Sequence, residues 1–332
     1  MLVLSLIIPV YNGQDTIVNT LTSIIRILSE YIDSNCIEII IVNDGSKDAT
    51  EKLVKNFIES NISFNFHYRY QENKGLSVAR NFGLDSARGD YVWFFDGDDI
   101  LIDDGLSSIF EHMMAREIEV FSFRNRIIMN GKLTNDLGCD FPVSRNEILT
   151  GIESLKQGYL PSSVCCLIVK RKVFYDNNIF FYPGITHQDV ELTARLMIIA
   201  KRVIFLEAVP YGYVYMENSI SKSKDRDKLI KYCKDNITVA NSLHDFSLSV
   251  GKMESKLIGN VVNNIVWNYI LNLYLSKRDI DKKMLETLLG TLFSSDIYPI
   301  TGPMQTSFQS LTKIFFNNKL LLKITLYFFY KF

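Results

Sequence analysis

Three times in the first ninety residues an apolar run stops at a polar turn and an amphipathic stretch follows, and a fourth apolar run then ends in a cluster of carboxylates. "LVLSLIIPVYN" reads as a buried strand, followed by a helix from about Thr16 to Tyr31 with Asp15 as N-cap. "CIEIIIVNDGS" repeats the strand and "KDATEKLVKNFIES" the helix; "NFHYRYQENKG" and "LSVARNFGLDSA" give the next pair, and "GDYVWFFDGDD" the fourth strand. Strands this rich in Ile and Val, alternating with helices, suit a sheet covered on both faces, so the chain is α/β, with a mostly parallel sheet flanked by helices. Such sheets bind ligands beyond the carboxyl ends of their strands, in the crevice where strand order reverses. Asn12, Asp44 and Asp96 fall at such ends, which places three polar clusters on one rim.

Beyond about Leu106 the pattern changes. "EIEVFSFRNRIIMNG" reads as strands around a hairpin turn at Asn130 and Gly131. "VPYGYVYMENSISKSKDRDK" then passes from aromatic residues into a polar linker near Ser221 to Lys228, which divides residues 1–220 from a C-terminal helical region, 221–332. Helical periods follow at roughly Lys228 to Ser247, Met253 to Ser276, Asp279 to Phe293, and Phe308 to the end. No charge-free apolar run reaches the ~18 residues of a membrane span. "KIFFNNKLLLKITLYFFYKF" comes nearest, but Lys319 and Lys323 interrupt it; it fits either an interfacial segment on an anionic membrane or a helix packed on the protein's own core. "MLVLSLIIPVYNG" lacks a basic leader and a small-residue cleavage site, so it reads as the first strand.

Composition narrows the function classes. The 332 residues are 47% hydrophobic, enough for a large core, and the net charge of −1 gives no global positive field for nucleic acid. Five cysteines, odd in number and without a CxxC pair, read as reduced thiols of a cytosolic protein, and Cys165 and Cys166 as buried small hydrophobes. The chemistry therefore rests on the carboxylates. Asp96 and Asp98 form an Asp-x-Asp at a strand end, a pair of hard oxygen donors suited to Mg²⁺ or Mn²⁺. Calcium-loop spacing is absent, since Asp103 and Asp104 lead into a helix. Trp93, mid-strand, reads as core.

Together, "SLIIPVYNGQDTI", "IEIIIVNDGSKDAT", "NKGLSVARNFGLDSARGDYVWFFDGDD" and "HQDVEL" resemble the successive signatures of glycosyltransferase family 2, inverting nucleotide-sugar transferases of the GT-A fold, over roughly residues 1 to 220. The resemblance implies that Pro9, Tyr11 and Asn12 border the nucleobase, with Tyr11 available to stack on it, and that Asp44 hydrogen-bonds the uracil or ribose of a UDP-sugar. An N-cap or Asx turn before a helix at Lys47 is the structural alternative for Asp44. Gly75 would let the backbone approach the donor, and Arg80 would contact base or diphosphate. Asp98 would ligate the metal, Mn²⁺ or Mg²⁺; Asp96, next to Gly97, would hold the ribose, the metal or a metal-bound water. Asp99 would orient the acceptor or the turn.

Inversion needs one base to deprotonate the acceptor hydroxyl. In the family it is the Asp of an "ED" pair; here the pair reads "QD", so Asp189 takes the role and Gln188 is a departure. His187, two residues earlier, would touch diphosphate or metal. Tyr213, Tyr215 and Ser221 match an aromatic segment that lines the donor site, although alternating aromatics also suit a packed strand. The loops after the Asp-x-Asp and the segment around Cys139 to Tyr159 would set pocket shape. The implied protein is a cytoplasmic, metal-dependent transferase at the inner membrane face, moving a sugar from a UDP-sugar to a carbohydrate or lipid-linked glycan in capsule, O-antigen or exopolysaccharide assembly. An oxidoreductase is disfavoured because "PVYNGQD" stands where GxGxxG belongs. A non-catalytic binding protein on the same fold, a retaining enzyme and a GDP or dTDP donor remain as alternatives.

Overall fold

A computed structural model describes residues 3–31, 36–115, 117–215, 226–275, 281–304 and 306–329. The chain forms two compact units: Met1–Gly184 with Leu196–Met216, and Ile185–Arg195 with Glu217–Phe332.

The first unit is built on strands β1 (Leu4–Val10), β2 (Ile37–Asp44), β3 (Asn65–Gln71) and β4 (Tyr91–Phe94), and every residue of β1, β2 and β4 is buried. That double-sided burial is why these runs carry no alternation. Helices α1 (Ile17–Tyr31), α2 (Thr50–Ser60) and α3 (Leu76–Ser86) make the crossovers. In α1 the buried residues Ile17, Leu21, Ile24 and Leu28 recur at helical spacing and form the stripe laid on the sheet. Its entry is a turn in which the Thr16 and Ile17 N–H groups donate to the Gly13 carbonyl, so Thr16, not Asp15, precedes the first helical residue.

Shorter strands complete two sheets: β5 (Ile100–Leu101), β6 (Val120–Ser122), β7 (Asn125–Met129), β8 (Lys132–Gly138), β9 (Ile148–Leu149), β10 (Leu167–Lys170), β11 (Val203–Phe205) and β12 (Tyr211–Val214). The main sheet runs β3-β2-β1-β4-β10-β6-β11-β9 and the smaller β5-β12-β7-β8. β1 pairs in parallel with both β2 and β4, and β2 with β3; β10 enters antiparallel beside β4. The chain thus steps outward from β1 to β3 and returns to β1's other side at β4, so the switch point lies between β1 and β4. The hairpin expected at Asn130 and Gly131 joins β7 to antiparallel β8, with φ of 51° and 71° at the two turn residues. Helices α4 (Leu106–Met114), α5 (Gly151–Gln157) and α6 (Arg171–Asp176) lie between these strands in sequence. Trp93 is buried, its indole N–H donating to the Cys165 carbonyl, and Cys165 and Cys166 are buried, as their sequence context suggests.

Helix α7 (Gln188–Ile199) begins in the second unit, which otherwise holds α8 (Arg226–Leu248), α9 (Lys252–Leu275), α10 (Lys282–Phe293), α11 (Ser307–Phe316) and α12 (Lys319–Phe329). The helix expected from Phe308 to the end is two helices. Asn317 spends its side chain on both backbone groups of Ile300, and the Asn318 carboxamide accepts the Leu321 N–H to start α12. Asparagine side chains compete with helical hydrogen bonds in this way, and two in a row end the helix. Asp281 caps α10; the expected start at Asp279 and the expected site residue Ser221 lie outside the described residues. Among the described residues no helix is long and apolar enough to cross a membrane.

Candidate active site

The rim of the first unit is assembled from loops that brace one another. Asn12 sits at φ 50°, its side-chain oxygen accepting the Lys47 N–H at 2.9 Å and its own N–H donating to Ser46 Oγ at 2.9 Å. Gly13 N–H donates to Thr50 Oγ1 at 2.8 Å, which ties the loop after β1 to the start of α2. Tyr11, beside this latch in sequence, is 48% exposed. Pro9 is buried in β1.

Asp44 closes the end of β2, and the turn before Lys47 belongs to its neighbour Asn43, whose side-chain oxygen accepts the Ser46 N–H. Asp44 turns the other way: it accepts from Gln71 Nε2 at 2.7 Å, Lys74 N–H at 2.8 Å and Gly75 N–H at 2.9 Å. It is therefore neither N-cap nor Asx residue for a helix at Lys47, because α2 starts later, at Thr50. A carboxylate offers about four acceptor positions, so three such bonds leave one for a ligand. Gly75, held by this contact, has φ 89°, and a Cβ there would meet nothing within 4 Å. Its N–H faces Asp44 while its side-chain direction is open space, the condition for close approach of a ligand to backbone.

The carboxylates end β4. One oxygen from each of Asp96, Asp98 and Asp99 can be chosen so that all lie within 4.8 Å of one another. Gly97 packs its Cα so tightly that a Cβ would stand 3.2 Å from the Pro9 carbonyl oxygen, and its own carbonyl accepts from Thr16 Oγ1 at 2.9 Å and Thr20 Oγ1 at 3.1 Å. Thr16, just before α1, and Thr20 within it thus anchor the turn that spaces the carboxylates.

Each carboxylate has a different environment. Asp96 receives Arg80 Nη2 at 2.7 Å; the arginine is 1% exposed, the aspartate 33%. The guanidinium also lies 5.3 Å from the Phe181 ring centroid and 3.6 Å from Cys165 Sγ. Arg80 is therefore a sealed counterion within α3 and not a solvated helix-face charge. Asp99 is buried and accepts from the Tyr211 hydroxyl and, at 2.8 Å, from the Val214 N–H, both on β12. Asp98 alone is exposed. Burial first and the negative charge of Asp96 second push Asp98 up to about 6, Arg80 opposing. Asp98 is solvent-reachable yet crowded by protein on its other sides, so the like charge beside it is the firmer cause. Burial, then Asp96 and Asp98, push Asp99 up to about 8 against its two hydrogen bonds. Three carboxylates sharing one buried cation are under-neutralised, and hard oxygen donors this close suit a small divalent cation. The donor set fits Mg²⁺ or Mn²⁺, with Asp98 presented to it and Asp99 committed to β12.

Sequence reading missed Tyr211, Phe181 and the threonine pair. Tyr211 shares the period-two register of Tyr213 and Tyr215, which marks a face of β12 but not the partner that face meets.

The second unit holds Asp189 in the first turn of α7, where an acidic residue also complements the helix dipole. Gln188, largely buried, brings its amide nitrogen to 3.5 Å from Asp189 Oδ1, and Thr193 Oγ1 donates to the Asp189 carbonyl. His187 precedes the helix at φ 53°; its Nε2 lies 3.2 Å from Asn236 Nδ2 and its ring 4.3 Å from that of Tyr232. Burial holds its pKa below the usual histidine value, opposed by the charge of Asp235. Asp235 also accepts the Thr186 N–H at 2.7 Å, and buried Glu191 binds Arg195 and Ser242, so this segment is pinned from both sides of His187.

A switch-point crevice with latched loops, an open glycine and clustered carboxylates, set on this order of strands, defines an α/β protein of GT-A type. The family described as Glycosyl transferase family 2 matches residues 5–176, and the chain belongs to it. YibD of Escherichia coli, described as an uncharacterized glycosyltransferase, is 29% identical over 256 residues, 72% of this chain and 70% of that one. TuaG of Bacillus subtilis, described as a putative teichuronic acid biosynthesis glycosyltransferase, is 36% identical over 126 residues, 38% of this chain and 47% of its own. The crystal structure of S. aureus TarS 1-349 in complex with UDP-GlcNAc superposes with a TM-score of 0.72 at 17% identity, covering 98% of this chain and 89% of that one, and shows the shared GT-A fold.

Proposed function

We propose that this glycosyltransferase moves a sugar with inversion from a UDP-sugar to a hydroxyl of a carbohydrate or lipid-linked glycan, at the inner face of a bacterial membrane, in the assembly of a cell-surface polysaccharide. The observation that carries the reading is the carboxylate cluster at the switch point of the parallel strands, with its one sealed cation. The UDP-GlcNAc bound by TarS and the biosynthetic role printed for TuaG support the donor and the pathway class.

In this reading Tyr11, Asn12 and the backbone at Pro9 border the uracil, Asp44 offers its remaining acceptor position to uracil or ribose, and Gly75 lets the donor approach the chain. Asp98 and Asp96 hold Mn²⁺ or Mg²⁺, which when bound neutralises the diphosphate and the charge it gains on leaving. Arg80, sealed behind Asp96, holds that carboxylate in place and offsets part of its negative charge, and so acts on the diphosphate side without reaching it. The acceptor oxygen forms its bond to the anomeric carbon as that carbon's bond to the diphosphate oxygen breaks; the electron pair leaves with UDP, and the hydroxyl proton passes to Asp189. His187, kept neutral by burial, offers a ring nitrogen to the diphosphate or metal.

Gln188 favours a second reading, since the family's glutamate is replaced by a buried amide: the chain binds a nucleotide-sugar and transfers nothing. Thermal-shift titration with UDP, GDP, dTDP, CMP and NAD, each with and without Mn²⁺, followed by acceptor screening, separates them. Metal-dependent stabilisation by UDP alone, lost in Asp98→Ala, is expected; transfer should stop in Asp189→Asn while binding survives. Retained transfer in Asp189→Asn rejects the base, and UDP binding with no release under any acceptor favours the second reading.

A further inference from the structure

Five cysteines are spread along the chain, and in the first unit the fold brings two of them, Cys139 and Cys166, together. β8 ends at Gly138, which lies opposite Asn125 of β7. The Asn125 side chain packs so closely there that a Cβ on Gly138 would stand 2.5 Å from its Oδ1. The same Oδ1 accepts the Cys166 thiol at 3.7 Å, from the short turn of residues Val164–Cys166 that leads into β10. Cys139 follows Gly138 directly and is thereby carried to Cys166, where the two sulfurs meet in a hydrogen bond. Ser162 closes the other side, its Oγ 3.7 Å from Cys139 Sγ.

The two sulfurs stand in unequal settings. Cys139 is half-buried and has φ 54°, in the left-handed region that glycine and asparagine enter most readily. In that conformation its thiol reaches both Cys166 and Ser162. Cys166 is 2% exposed, and the hydrogen bond with Cys139 first and burial second push its thiol well above the ordinary cysteine value. Cys166 is thus kept as a thiol inside the protein, and Cys139 is the sulfur that a dissolved oxidant reaches first. The other cysteines are engaged elsewhere: Cys165 Sγ lies 3.6 Å from Arg80 Nη2, Cys36 directly precedes β2, and Cys233 belongs to α8 of the second unit.

We propose that Cys139 and Cys166 form a reversible oxidation site, at which a hydroperoxide converts the thiol pair to a disulfide that fastens the segment after β8 to the turn before β10. The Cys139 sulfur attacks one peroxide oxygen; the O–O bond breaks, the departing hydroxide takes up the thiol proton as water, and Cys139 becomes a sulfenic acid. The Cys166 sulfur then attacks that of Cys139; the S–S bond forms, the S–O bond breaks, and hydroxide leaves with the Cys166 proton as a second water. Each sulfur gives up one electron and the peroxide takes up two. Sulfurs already in hydrogen-bond contact have only to close to the ~2.05 Å of a disulfide. The fastened turn also carries the Cys165 carbonyl that accepts the Trp93 indole N–H and the Cys165 sulfur beside Arg80, so the site adjoins the support of the carboxylate cluster without belonging to it. It goes beyond the transferase reading and stands whether or not the chain transfers a sugar.

The test is peptide mapping of the full chain, reduced, freed of reductant, treated with hydrogen peroxide, alkylated and cut with trypsin without further reduction. Alkylatable thiols should fall from five to three. Residues 133–145 should appear joined to residues 157–170, two hydrogen masses lighter than the separate peptides, with the alkyl group on Cys165. Dithiothreitol should restore all five thiols. Cys139→Ser, at a half-buried position, should keep its circular dichroism and lose the link, while Cys166→Ala should leave on Cys139 a sulfenic acid that dimedone traps. Absence of the linked peptide, a link made through Cys165, a disulfide between two chains in its place, or oxidation of Cys139 that dithiothreitol does not reverse overturns the proposal.

Discussion

Replacing Arg80 by methionine tests how the carboxylate cluster is held together. Arg80 is 1% exposed and its partner Asp96 33%, so the substitution removes a sealed cation and leaves an anion that water can still reach. Breaking a fully buried pair costs about 3–5 kcal/mol because the survivor cannot hydrate. Partial exposure of Asp96 lowers that to about 2 kcal/mol, and loss of the guanidinium over Phe181 adds about 1 kcal/mol in a dry setting. The expected loss is therefore about 3 kcal/mol. Arg80→Lys should recover only part of it, since an ammonium lacks the planar group that meets Asp96 and Phe181 together. Urea unfolding followed by Trp93, in a Trp267→Phe background so that only the first unit reports, measures the loss. With the cation gone, three carboxylates stand together uncompensated, so Mn²⁺ should stabilise Arg80→Met more than it stabilises the parent. A loss below about 1 kcal/mol would mean that Arg80 hydrates and is no counterion, and an equal or smaller Mn²⁺ effect would remove the metal from this cluster.

The raised carboxyls set a pH dependence with a definite sign. Because Asp98 sits at about 6 and Asp99 at about 8 when folded, above the ordinary aspartate value near 4, the metal-free protein binds more protons than its unfolded chain between those limits and loses stability as pH rises through them. A metal held through Asp98 displaces that proton only below about pH 6, so it should bind up to tenfold tighter per pH unit up to about 6, about 1.4 kcal/mol, and level off above, visible as an Mn²⁺-induced rise in Tm that grows with pH and then flattens; a rise constant on both sides of pH 6 would exclude Asp98 as its ligand. Tyr211→Phe removes a hydroxyl donor from Asp99 in a buried setting, and should cost about 1 kcal/mol at pH 6, where the carboxyl is neutral, and about 2–3 kcal/mol at pH 9, where it is charged; equal costs at both pH values would show that Asp99 does not titrate there.

The parallel half of the fold was readable because its strands are buried on both faces and announce themselves as largely apolar runs, from Leu4 to Val10 and from Ile37 to Val42, broken only by Ser5 and Glu38, which hydrogen-bond each other inside the sheet. The strand ends were readable for the same reason, since a polar residue after such a run must leave the sheet. The orientation of a side chain at that end was not. Asn43 and Asp44 are adjacent and similar, yet Asn43 makes the local turn to Ser46 while Asp44 reaches Gln71, Lys74 and Gly75. Only the pairing of β2 with β3 brings that distant loop within reach. At the other end of the chain, helical period carried through Asn317 and Asn318 because period counts apolar positions and is blind to side chains that take backbone groups for themselves.

The carboxylates show the same division more sharply. Spacing alone puts Asp96, Asp98 and Asp99 at one point, and hard-donor chemistry follows from that. What distinguishes them comes from elsewhere in the chain: Arg80 for Asp96, sixteen residues upstream, and Tyr211 for Asp99, 112 residues downstream. Asp98, exposed between two neighbours whose side chains are engaged, is thereby the carboxylate left to face a cation, although nothing in "DGDD" singles it out. The partners of Asp96 and Asp99 belong to different elements, α3 and β12, but the charge of Asp96 itself raises Asp99, so their losses couple through the carboxylates as well as through the turn that Thr16 and Thr20 anchor at Gly97. A double-mutant cycle on Arg80 and Tyr211 should therefore show an interaction in stability, largest where Asp99 is charged, and a second one in metal affinity; strict additivity at every pH would mean that the carboxylates do not sense one another.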